Sequence, residues 1–153
     1  MKTFIKKILF FCCFCLISCS AQKKEVQNSS IVSFKKITNQ SHGGSKEELY
    51  LIISNQKELQ KVYAQINMFR KPGLAIPSVN FKNEKIIALF MGQKNTGGYM
   101  IEIDTIISKK DASIEIKIKE TIPNNDMVTM AITHPFSIYL LYSNAKISFK
   151  KIP

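Results

Sequence analysis

From Ile8 to Ile17 the chain reads ILFFCCFCLI, an apolar run that comes after Lys2, Lys6 and Lys7 and is stopped by Ser18. A basic stretch, a short apolar run and a small residue, in that order, make up the anatomy of a secretory signal. A helix needs about 20 apolar residues to cross the hydrocarbon of a bilayer, so a run half that length does not serve as a lasting span. Folding is therefore expected to concern the residues beyond Ser18. Removal of 18 residues from 153 leaves 135, the size of one domain.

The run ends in Leu16-Ile17-Ser18-Cys19, which resembles the lipobox of bacterial lipoproteins. The resemblance implies a signal peptide over 1–18, lipidation of the Cys19 thiol and anchoring in the cell envelope, at the outer rather than the inner membrane. Cys12, Cys13 and Cys15 leave with the signal, so Cys19 is the one cysteine kept, its sulfur occupied by lipid. The export compartment permits disulfides, yet none can form. Stability has to come from packing.

Residues 19–30 are polar apart from Ala21 and Val26 and read as a flexible tether, leaving 31–153 as a single domain. The chain carries +11, which falls to +8 when Lys2, Lys6 and Lys7 depart. The remaining lysines are scattered in ones and twos among Asn, Ile and Ser. They read as an ordinary solvated face, with attraction to a membrane or an acidic partner as the alternative. Nucleic acid is not expected as a partner, because no binding motif accompanies the charge.

Within the domain the apolar spacing is mostly that of strands. Ile31–Ile37 is either a first strand or the end of the tether. Leu49–Ile53, Lys85–Met91, Met100–Ile107, Ser113–Glu120, Val128–Ile132, Ser137–Tyr142 and Lys146–Lys150 are strand-length segments between turn residues. In one of them Ile114, Ile116 and Ile118 alternate with Glu115, Lys117 and Lys119, the period of a half-buried strand. One helix is expected: Asn55 and Glu58 have the spacing of a capping box, and Leu59, Val62, Tyr63 and Ile66 fall on one face. The fold class is thus mainly β (α+β), an antiparallel sheet or sandwich with one packed amphipathic helix.

Residues suited to catalysis are dispersed. His42 and His134 are far apart in sequence and have no neighbouring His or Cys, so no metal site is expected. Glu102 and Asp104 share one side of a strand among lysines, and Asp111, Glu120 and Asp126 sit at turns or strand ends. No Gly-x-Ser-x-Gly turn occurs. No enzymatic activity and no cofactor are expected. The compact unusual segment is Gly92–Tyr99. Its candidate binding loop is Lys94, Asn95, Thr96, Gly97, Gly98 and Tyr99, where two glycines permit positive φ and close approach. Because a strand rather than a helix comes next, a tight strand connection is favoured over an anion site. Tyr99 is either an exposed contact or the first core residue of that strand.

The order NQKELQKVYAQI, IPSVNFKNEKIIALFMGQKNTGGYMIEI, a charged alternating strand, ETIP and THPFSIYLL resembles the PrcB C-terminal domain family. The core of the likeness runs from about Phe81 to Leu141, with looser similarity back to Glu48. Asn80 stands where Asp is usual, and Asn95 where Pro is common before the Thr. The resemblance implies a non-catalytic interaction or accessory module, the family being named after a lipoprotein subunit of a surface protease complex. Asn95-Thr96-Gly97 also echoes the Asn-Pro-Thr-Thr-Gly loop of chagasin-type cysteine-protease inhibitors, which gives the alternative of a protease inhibitor acting through Asn95–Tyr99.

Overall fold

The computed structural model describes residues 32–124 and 128–153. The signal segment, the tether, Cys19 and Asp126 lie outside the described residues. The chain runs β1 (Phe34–Gln40), β2 (Glu48–Ile53), α1 (Gln56–Asn67), β3 (Lys85–Met91), β4 (Met100–Ser108), β5 (Ile114–Thr121), β6 (Phe136–Leu141) and β7 (Ile147–Ile152). One sheet has the order β1-β6-β3-β2 and is antiparallel throughout; the other has the order β4-β5-β7. Among the described residues the fold is β-rich, with two sheets and a single short helix.

Alternation along β3 explains the layering. Ile87, Leu89 and Met91 join Ile101, Ile103, Ile106, Ile114, Ile116 and Ile118 in a core between the sheets. Ile86, Ala88 and Phe90 point the other way and pack with Leu59, Tyr63 and Ile66 of α1. A strand covered on both faces reads as a continuous apolar run, as KIIALFM does. The helix stripe expected from its spacing covers the outer face of the four-stranded sheet. Asn55 caps α1, its side chain accepting from Glu58 N at 2.9 Å, while Glu58 Oε2 accepts from Ser54 N at 3.1 Å.

Several sequence-based expectations are corrected. The first strand starts at Phe34, where the ring meets Tyr139 edge-on with centroids 5.8 Å apart. Val128–Ile132 is not a strand. Met130 and Ile132 turn to solvent, Ala131 N donates to Thr129 O within the stretch, and its ties to the neighbouring loop are a bridge from Thr133 to Lys94 and a hydrogen bond from Gly97 N to Thr129 O. Its neighbour is a loop rather than a strand, so no ladder extends along it. β5 and β7 pair in parallel, because the chain comes back beside β5 only after crossing to the other sheet as β6 and returning as β7.

The regular alternation expected through Glu102 and Asp104 does not hold along the whole of β4 either. The β4–β5 register shifts between Ile103 and Thr105, so the strand's alternation is interrupted at Asp104. Glu102 bonds Lys36 and Asn39, whereas Asp104 accepts from the Thr105 hydroxyl. Beside the shift, Ile103 N donates to the Tyr139 hydroxyl at 3.1 Å, which ties the two sheets across the core.

Candidate functional site

The candidate loop leaves β3 through Gly92, whose φ of +77° turns the chain out of the sheet. Its backbone is then bonded on both sides. Gln93 N donates to Lys46 O at 2.9 Å, Lys94 and Thr133 exchange N–H to O bonds at 2.9 Å each way, and Gly97 N donates to Thr129 O at 2.9 Å. The Thr133 hydroxyl, on a buried residue, donates to Thr96 O at 2.8 Å. The loop is thus fastened to segment 129–133, and its shape does not depend on an occupant.

The two glycines have different jobs. Gly98 has φ +90°, and a Cβ there would lie 2.7 Å from Pro123 Cβ, so both conformation and space require glycine. At Gly97 a Cβ would meet Thr129 Cβ at an ordinary 3.4 Å. The tight-connection reading therefore rests on Gly98, and on the fit between the Thr-Gly-Gly-Tyr and Glu-x-x-Pro segments.

Tyr99 is half-buried against the inter-sheet core, and Lys94 Nζ stands 5.6 Å from its ring centroid. Between the two alternatives, the ring lies at the edge of the core under a lysine rather than presented as a free anchor. Asn95 and Gly98 are exposed, while Lys94, Thr96 and Gly97 are half-buried. The apolar surface around the loop comes from residues that local spacing does not single out. Met130 is 86% exposed and Ile132 59%, flanking the bonded positions 129 and 133; Ile122 is 69% exposed beside Pro123, and Met100 adjoins Tyr99. Their apolar character is visible in the sequence, but in segment 128–132 it reads as the signal of a strand.

A second feature lies on the other side of segment 133–135. His134 N donates to Ser41 O at 3.0 Å and Gly44 N donates to His134 O at 3.0 Å, so the two histidines that are distant in sequence line one cleft. A Cβ on Gly44 would fall 2.6 Å from His134 O. Gly43, with φ +97°, lets the loop approach the end of α1, where Arg70 Nη2 donates to His42 O at 2.5 Å. Among the described residues no group of three or more His, Cys, Asp or Glu is placed to hold a metal ion.

The acids and their cations brace the fold. Lys151 pairs with Glu120 at 2.8 Å and with Glu48 at 3.4 Å, joining the two sheets. The Tyr50 hydroxyl donates to Glu48, and that bond, with Lys151 nearby, holds the Glu48 carboxyl below the usual carboxylate range. Burial pushes the Tyr50 hydroxyl up, and Glu48 adds to the effect. Glu102 is likewise held low by Lys36.

The family model described as PrcB C-terminal matches residues 85–139. The match spans β3 to Tyr139 of β6 and so contains the loop, segment 128–135 to which it is fastened, and the Gly98–Pro123 contact. No curated protein and no solved structure matches the chain. Residues 85–139 are thus similar to the PrcB C-terminal family, and the match supports the resemblance read in the sequence.

Proposed function

We propose that the chain is a membrane-anchored lipoprotein whose folded part is a non-catalytic protein-interaction module, an accessory unit to a surface or periplasmic protease complex. The observation that carries this reading is the surface around the 94–99 loop. Ile122, Met130 and Ile132 are exposed on segments fixed to a loop that is already held by four backbone hydrogen bonds. Exposed large apolar side chains on a rigid support are suited to binding another protein. The PrcB C-terminal match supports an accessory role in connection with a protease, and the Leu16–Cys19 motif supports the anchor.

The rigidity of the loop also favours a second reading, inhibition of a protease by Asn95–Tyr99, since a pre-organised loop loses little freedom on binding. Affinity capture from solubilised native membranes, using the tagged full-length chain, tests the first reading. One envelope protein should accompany the parent and be lost from the Met130→Ser, Ile132→Ser double variant, with unchanged melting and with the captured protein's protease activity intact. Equal capture by both chains would sink the interaction surface. Blocked protease activity would favour the inhibitor.

A further inference from the structure

The cleft beside His134 has a volume of about 610 Å³, within the range of small-ligand sites. Its walls divide by chemistry. Met68 and Phe69 make an apolar side at the end of α1, where Arg70 also stands, while Lys46 adds a second cation and His42 and His134 add ring nitrogens from the other segments. Among the described residues no Asp or Glu lines it. The guanidinium of Arg70 lies against Gly43 and 6.0 Å from the centroid of the Phe136 ring, so it is held in place from two sides.

Two buried nitrogens of its lining residues, Arg70 Nε and His134 Nε2, have no hydrogen-bond partner among the described residues. A buried polar atom without a partner costs free energy. Phe69 is 94% exposed at the lip of the cleft, an exposure that hydrophobic burial does not explain.

We propose that this cleft binds the carboxyl terminus of a peptide whose last side chain is apolar. The Arg70 guanidinium, one of whose nitrogens already donates to His42 O, and the Lys46 ammonium supply two positive charges for a carboxylate, and the Gln65 amide, able to donate and accept, is suited to a peptide bond. Met68 and Phe69 take the last side chain. The mixed lining speaks against a fatty acid, whose chain would ask for an apolar wall along its length. The inference stands on the cleft alone and does not depend on the 94–99 loop surface.

The test is calorimetric titration of the full chain with N-acetyl-Ala-Leu, with its C-terminal amide, and with dodecanoate. The free acid should bind at least about tenfold more tightly than the amide, the difference made by a charged hydrogen-bonding partner. Arg70→Gln should weaken the acid by a similar factor. Because Arg70 also packs on Phe136, two variants at exposed positions accompany it: Lys46→Gln and Phe69→Ser should each weaken the acid several-fold while the melting temperature stays put. Equal binding of acid and amide overturns the proposal. So does tighter binding of dodecanoate than of the dipeptide, or affinity unchanged in both exposed variants.

Discussion

At the scale of single residues, Gly98 is where the loop meets its strictest requirement. Its φ of +90° excludes β-branched side chains, and Pro123 is a rigid ring that cannot move out of the way of a Cβ 2.7 Å distant. Gly98→Val is expected to destabilise the protein by about 2 kcal/mol or more, read as a lowered melting temperature. Gly97→Ala should be close to neutral, since its Cβ would meet Thr129 at ordinary contact distance. Equal effects at both positions would show that the pair acts only through general flexibility. The Gly-Gly signal was legible in the sequence, but which glycine is indispensable was not, because Pro123 is 25 residues away along the chain. The same limit concealed the cleft: nothing in the local sequence around Ser41 or His134 says that their backbones bond.

At the scale of elements, α1 is the part most fully written in its own residues. The Asn55 cap, the Glu58 bond back to Ser54 and the burial of Leu59, Tyr63 and Ile66 all accord with the spacing. Asn55→Ala should cost about 1 kcal/mol, measurable by denaturant melting, and a midpoint shared with the parent would remove the cap from the account. Strands were legible where alternation or an apolar run was strong, as in β3 and β5. Segment 128–132 has the same apolar residues but lies beside a loop, and neighbours are a property of the folded chain. The shift in β4 at Asp104 was hidden for a related reason, because a register is decided by the partner strand.

The charged contacts between elements give a pH dependence with a definite sign. Glu48 and Glu102 have folded values below their ordinary 4.5, through Tyr50 in the first case and Lys36 in the second. A lowered folded value means that the unfolded chain takes up protons first. Their contribution is therefore present above about pH 4.5 and is lost as pH falls from there through the lowered folded values. Lys36 and Lys151 are raised above 10.5 by Glu102 and Glu120, so their contribution disappears only as pH rises beyond that value. Melting temperature is expected to be level through neutral pH and to fall below pH 4.5. The fall should be shallower in Glu102→Gln; identical acid slopes would show that the Lys36–Glu102 contact does not take part.

At the scale of the whole molecule, a helix, a four-stranded sheet and a three-stranded sheet stack about two cores that share β3. The stack brings the 41–46, 92–99 and 128–135 segments together and ties them by backbone bonds. The PrcB C-terminal match covers two of those three segments. The surface around the 94–99 loop is the proposed seat of a protein partner. A photo-crosslinking residue placed at Met130 tests it most directly, because that side chain is 86% exposed and its replacement leaves both cores untouched. Irradiation of cells carrying this variant should yield one discrete adduct with an envelope protein, while the same residue at Lys117, on the three-stranded sheet, should yield none. Adducts in equal amount from both positions, or none from Met130, would contradict the account.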